Sequence, residues 1–226
     1  MREPVRAFCE EAVAAFPGSG AVVEFGAYQV EGQERLADVR ALFPGRPFTG
    51  CDLRPGPGVD RVEDVSAPTF PDGSVGAIVC LETLEHVFEV RRAFDALFRL
   101  LAPGGVLIAS APFHFHVHAH PDDYWRMTPS AWRRLLAPYA LRVVGALGPE
   151  KRPHTVLALA VKAPAPAGAL ERARRLVEAV RARLDALDRA RPVGARLAAW
   201  LRGLGLSKGE RRARAEALLA RFTVEG

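Results

Sequence analysis

Apolar positions along the chain recur with two periods, and the places where one period gives way to another mark out the elements. Residues 3–16 read as a helix stopped by Pro17-Gly18. A short apolar strand follows at 21–25, then a helix around 33–43 closed by Pro44-Gly45, and a strand at 48–52. The loop Arg54-Pro55-Gly56-Pro57-Gly58 can continue neither element, and a brief strand is predicted near Asp60–Glu63. Val75-Gly76-Ala77-Ile78-Val79-Cys80-Leu81 is an apolar run without alternation, the mark of a strand buried on both faces of a parallel sheet. Val90, Ala93, Phe94, Leu97, Leu100 and Leu101 then repeat at helical spacing over 89–101. Ala102-Pro103-Gly104-Gly105 closes that helix, and a strand follows at 106–111. A helix near 129–137 and strands near 140–147 and 154–162 complete the body.

Strands alternating with helices predict an α/β, Rossmann-like, mostly parallel seven-stranded sheet with helices on both faces. The last two strands are joined by a short connection and read as an antiparallel hairpin at one edge. Pro164-Ala165-Pro166-Ala167-Gly168 reads as a linker, dividing a body (1–163) from a basic helical extension (169–226). In that extension Leu170, Ala173, Val177, Val180, Leu184 and Leu187 form a heptad-like seam broken at Arg191-Pro192. A second helix is expected from Val193 to Leu204 and a third from Glu210 to Phe222. A helical hairpin of this kind packs on the body or on a second subunit, so a homodimer through the C-terminal helices is one expectation.

Composition narrows the class. The 226 residues are 49% hydrophobic, ample for a core, and no apolar run approaches the roughly 18 residues that would span a bilayer. The amino terminus lacks an apolar segment of signal-peptide type. Cys9, Cys51 and Cys80 form no C-x-x-C pair, and a reducing cytoplasm is the expected location. From Ala165 onward there are 14 basic and 7 acidic residues, which leaves the body at −2 of an overall +5. The acids Glu171, Glu178, Asp185 and Asp188 interleave with the arginines, as on a solvated helix with i,i+4 pairs, so nucleic acid is not the expected partner.

The candidate chemistry sits at strand ends. Val22-Val23-Glu24-Phe25-Gly26 is a strand entering a glycine turn, and Phe48-Thr49-Gly50-Cys51-Asp52 is a second strand ending in an acid. Glycine lets backbone approach a ligand, and a carboxylate accepts hydrogen bonds from ribose hydroxyls, which suits a nucleoside-type cofactor. Tyr28 and Gln29 stand where a dinucleotide fingerprint would carry further glycine, and no Walker loop is present.

The ordered series Val-Val-Glu-Phe-Gly (22–26), Gly-Cys-Asp-Leu (50–53), Val-Glu-Asp-Val (62–65), Phe-Pro-Asp-Gly-Ser-Val-Gly-Ala-Ile-Val-Cys (70–80), Leu-Glu-His-Val (84–87) and Leu-Leu-Ala-Pro-Gly-Gly (100–105) resembles the class I S-adenosylmethionine-dependent methyltransferases, above all their small-molecule and glycan members. The resemblance covers residues 20–162. It implies S-adenosyl-L-methionine as cofactor, with Glu24 and the Gly26 backbone at its methionine end. It further implies Asp52 on the ribose and Leu53 on the adenine. Asp64 would face the adenine amino group and the Val65 amide a ring nitrogen. Leu81 and Glu82 would border the methyl group. Tyr28 departs from the family's glycine loop, and it either crowds the methionine moiety or stacks beside it.

After the fifth strand, His118, Pro121, Asp123, Tyr124 and Arg126 fit a His-x-x-Pro-x-Asp-Tyr-x-Arg loop that such methyltransferases carry on the acceptor side. The resemblance thus gives His118, Tyr124 and Arg126 as candidate catalytic residues. A histidine suits hydroxyl deprotonation near neutral pH, and an arginine suits an anionic group on the acceptor. His114, His116, His118 and His120 would share one side of an extended segment, but their spacing matches no standard zinc site, and no metal is expected. The function implied is O-methylation of a small molecule or sugar. The rivals are an RNA or protein methyltransferase using the basic tail and a non-catalytic assembly module of the same fold.

Overall fold

A computed structural model describes residues 2–118, 121–148, 151–190 and 221–226. One eight-stranded sheet runs through them in the order β3-β2-β1-β4-β5-β7-β6-β8. The strands are β1 (Val22–Phe25), β2 (Phe48–Asp52), β3 (Arg61–Val62), β4 (Val75–Leu81), β5 (Leu101–Pro112), β6 (Leu141–Leu147), β7 (Thr155–Val161) and β8 (Arg221–Glu225). β3, β2, β1, β4 and β5 are mutually parallel, while β7, β6 and β8 join antiparallel. Every residue of β4 and β7 is buried, as the unbroken apolar runs require.

Strand alternation sorts the core into two layers. Ala77, Val79 and Leu81 of β4 face α1 (Glu3–Ala15) and α5 (Ala169–Arg189). Ile78 and Cys80 face α3 (Val90–Leu100) and α4 (Pro129–Leu135). α1 starts with Pro4 in its first turn, where the missing N–H costs nothing, and buries Val5, Phe8, Cys9, Ala12 and Val13 along one face. α3 buries Ala93, Phe94, Leu97 and Leu100 in the same manner. Lys162 Nζ donates to the carbonyls of Phe98 (2.9 Å) and Leu101 (2.6 Å), satisfying the open C-terminal end of α3.

The predicted elements need three corrections. The helix expected at 33–43 is split into α2 (Glu34–Ala37) and a 3-10 turn (Arg40–Leu42). Asp38 between them is extended, its side chain accepts the Arg40 N–H at 2.9 Å, and Arg6 donates to its carbonyl. Second, β5 begins at Leu101, directly after α3, because Leu101 pairs with Val75 across a register shift. Third, the helix expected from Glu210 to Phe222 ends in residues that are strand. β8 makes the sheet eight-stranded, with Phe222 lying over Gly145 and its ring stacked at 6.1 Å on Phe8 of α1. The rest of that helix, and the one expected at 193–204, lie outside the described residues. α5 packs along α1 and buries Ala169, Ala173, Leu176, Val177, Val180 and Leu184.

Candidate functional site

The carboxyl ends of β1, β2 and β4 open into a cavity of about 530 Å³, walled by Gly26, Tyr28, Asp52, Leu53, Val65 and Glu82 among others. In an open parallel sheet this is where ligands bind. On the β2 side the floor is polar. Asp52 ends β2 with its side chain largely covered, accepting the Arg54 N–H at 3.1 Å on Oδ1 and the Tyr28 N–H at 3.4 Å on Oδ2. Gly26 must be glycine for two reasons. Its φ is +86°, and an added Cβ would lie 1.9 Å from Thr83 Oγ1. Tyr28 resolves its two sequence options by a third: its ring lies against Gly56, with the Arg54 guanidinium 4.2 Å from its centroid.

Glu24 does not line this cavity. Alternation puts it on the face of β1 shared with Val22, beneath α1 and the Asp38 turn. Burial, and then the Asp38 charge, push its carboxyl up to about 8. Asp64 is exposed and closed on itself, its Oδ1 accepting the Ser66 N–H and hydroxyl at 2.8 Å each. The cavity instead receives its buried neighbours Glu63 and Val65. Glu63 is held by the Thr69 N–H (2.9 Å), the Thr69 hydroxyl (2.6 Å) and Arg61 (2.6 Å). Leu81 is buried behind the wall, and Leu53 is half exposed upon it.

At the end of β4 the backbone is strained. Glu82 has φ +51°, unusual for a residue with a Cβ, and such positions concentrate at functional sites. Its carboxylate accepts the Ser110 hydroxyl at 2.8 Å and pairs with Arg2 at 3.1 Å, while Arg2 also donates to the Thr155 hydroxyl. Arg2 thus ties α1 to the cavity wall, a role the sequence pattern did not signal.

The opposite wall comes from the turn Leu84–His86 and the loop after β5. Two backbone N–H groups, of Tyr124 (2.8 Å) and Trp125 (3.2 Å), donate to the Glu85 carbonyl, and His86 Nδ1 meets the Asp122 carbonyl at 2.6 Å. These bonds bring the His86 and His118 rings to 4.8 Å. His118 Nδ1 lies 3.0 Å from Asp123 Oδ2, and Arg126 grips both oxygens of that carboxylate at 2.5 Å. The hydrogen bonds from Arg126, working against burial, hold Asp123 well below the usual carboxylate range. Of the acceptor-side candidates, His118 lines the cavity, as does His116. Arg126 is engaged with Asp123, and Tyr124 is exposed with its hydroxyl on Asp122 at 2.9 Å. His114 is exposed away from the cavity lining, and His120 lies outside the described residues. Glu85, unmarked in the sequence beyond its place before His86, is 1% exposed and lines the cavity.

Comparison with known proteins agrees with this arrangement. Residues 33–109 match the methyltransferase-domain family. A probable S-adenosylmethionine-dependent methyltransferase of Mycolicibacterium smegmatis is 31% identical over 96 residues, 40% of this chain and 37% of the relative. Over these residues the chain is similar to S-adenosylmethionine-dependent methyltransferases. The match spans little more than a third of that curated relative's length. Among solved structures, the 1,6-didemethyltoxoflavin-N1-methyltransferase of Burkholderia thailandensis, with 1,6-didemethyltoxoflavin and S-adenosylhomocysteine bound, superposes on this chain with a TM-score of 0.54. The two share 19% identity over 71% of this chain and 78% of that one. An S-adenosylmethionine-dependent methyltransferase of Mesorhizobium loti gives 0.52 at 16% identity, over 69% and 98%. At such identities the structures speak to the fold alone. Among the described residues no helix is long and apolar enough to cross a membrane.

Proposed function

We propose that this protein methylates a hydroxyl of a small-molecule or sugar acceptor, using S-adenosyl-L-methionine held in the β1–β2–β4 cavity. The observation that carries this reading is the pairing of Asp52, a covered carboxylate at the tip of β2, with the apolar surfaces of Leu53 and Val65 in a cavity of about 530 Å³. Asp52 suits the two ribose hydroxyls, and the apolar pair suits an adenine face. Glu82 and Thr83, at the end of β4, border the methionine portion. Bound there, the sulfonium supplies an electrophilic methyl group, so that alcohol and cofactor become methyl ether, S-adenosylhomocysteine and one proton.

The chain's own work is alignment, which contributes roughly 7–11 kcal/mol in well-oriented reactions. The acceptor hydroxyl sits against the Glu85–His86–His118 wall, where its proton leaves. Asp123 and Arg126 act through His118 by fixing its ring, and Tyr124 and Trp125 brace the loop against Glu85. An RNA acceptor is disfavoured because the described part of the basic extension spends its arginines on acids, Arg175 on Glu171 and Arg183 on Glu10 and Glu11. Three buried free thiols suit a reducing cytoplasm.

Titrating S-adenosylhomocysteine into the protein by calorimetry tests the reading, with Asp52→Ala alongside. Micromolar binding that falls at least about tenfold in the variant is expected, since removing a hydrogen-bonded carboxylate forfeits about 1.5–3 kcal/mol. A folded wild type that binds no S-adenosylhomocysteine would sink the enzyme reading in favour of a non-catalytic module.

A further inference from the structure

The wall opposite Asp52 holds a buried carboxyl whose oxygens have no donor among the described residues. Glu85 is 1% exposed, and among the described residues neither of its carboxyl oxygens has a hydrogen-bond partner. An unpaired buried carboxyl is expensive, and such groups are kept where something else completes them. His86 Nε2 lies 3.6 Å from Glu85 Oε1. One ligand atom each from Glu85, His86 and His118 all fall within 4.8 Å of one another.

The tautomers are set from outside the cluster. The Asp122 carbonyl accepts a hydrogen bond from His86 Nδ1–H at 2.6 Å. Asp123 Oδ2 (3.0 Å) and the His116 carbonyl (3.3 Å) do the same for His118. A neutral imidazole that donates from Nδ1 presents the Nε2 lone pair, and this outer tether is the arrangement found behind metal-bound histidines.

We propose that Glu85, His86 and His118 form a binding site for a divalent first-row transition ion at the edge of the cofactor cavity. Two imidazoles and one carboxylate favour zinc, manganese, iron(II) or cobalt(II) over magnesium or calcium, which prefer all-oxygen sets. With metal–ligand bonds of about 2.0–2.2 Å the three atoms draw together by about an ångström on loading. All three ligands approach from one wall, so the remaining positions face the cavity, the pattern of a site that takes substrate rather than one that only braces the fold. An ion there lowers the pKa of a hydroxyl bound to it. The acceptor class that fits best carries two adjacent oxygens that chelate the ion. That last step rests on the methyl-transfer reading; the ion site itself does not.

The experiment is cobalt(II) titration of untagged, chelator-treated protein, followed by visible absorption and by calorimetry. Wild type is expected to bind one equivalent tightly and to develop a d–d spectrum. Glu85→Gln and His118→Ala should each weaken binding by more than about tenfold, since even outer tethers contribute about 10–100-fold. His114→Ala, altering an exposed histidine outside the cluster, should bind as wild type does. Thermal melts of both variants guard against misfolding. Absence of a saturable one-equivalent site in wild type, or unchanged binding in a folded Glu85→Gln, would overturn the proposal. S-adenosylhomocysteine is titrated separately: its failure to bind beside intact cobalt binding removes the methyl-transfer reading and leaves the ion site standing.

Discussion

Glu24 gives the sharpest quantitative prediction. Its carboxyl sits under α1 with Asp38, Arg40, Arg6 and Asp52 as its charged surroundings, and burial raises it from 4.5 to about 8. Between those two values the unfolded chain has released the proton while the native protein still holds it. Native Glu24 therefore binds more protons than unfolded Glu24, and stability must fall as pH rises through this window. The slope is about 1.4 kcal/mol per pH unit, giving a ceiling near 5 kcal/mol above pH 8, with relaxation and water entry lowering what is realised. Glu24→Gln keeps the shape and removes the titration. Urea unfolding of both proteins at pH 5, 6, 7 and 8 should start from similar stabilities. The wild type should then lose ground to the variant step by step, the difference levelling off above pH 8. Parallel stability curves across pH 5–8 would show that Glu24 is ionised in the native protein, and the argument from burial would fail. If Glu24 meets the cofactor's ammonium group, S-adenosylhomocysteine binding at pH 7 releases a proton, readable by calorimetry in buffers of different ionisation enthalpy.

Two further perturbations probe the frame around the cavity. Gly26→Ala combines a disfavoured backbone angle with a clash against Thr83, and it should destabilise by at least about 1–3 kcal/mol in thermal or urea unfolding. Adding Thr83→Ala should recover only the steric part, and full recovery would refute the role of φ. Leu176→Ala in α5 removes a buried side chain from the α1–α5 layer and should cost about 2–5 kcal/mol in urea unfolding. A loss under 1 kcal/mol would mean that α5 is only loosely docked.

The sheet was legible because its inner strands advertise themselves. Val75–Leu81 and residues 156–161 are apolar without interruption, and the Asp52 strand end lies on the cavity. What failed to show was parity and distance. Glu63 and Asp64 are adjacent acids after a two-residue strand, and a shift by one residue decides which of them faces inward. Helical spacing over 33–43 could not reveal that Asp38 would turn its backbone toward Arg6, some 30 residues earlier. The Glu85–His86–His118 cluster depends on the Asp122, Tyr124 and Trp125 bonds to the Leu84–His86 turn, a meeting across more than 30 residues that no local spacing encodes. Among the four alternating histidines, it was a partner outside that segment that completed a ligand set.

The position of β8 bears on how the chain behaves before it is fully folded. β6 is flanked by β7 on one side and by β8 on the other, and β8 comes from residues far downstream of it. Until Arg221–Glu225 arrives, β6 presents an open row of amide and carbonyl groups on an otherwise assembled sheet. Such an edge pairs readily with another chain, so nascent or proteolytically shortened protein should be the aggregation-prone species, and chaperone dependence should track loss of this last strand.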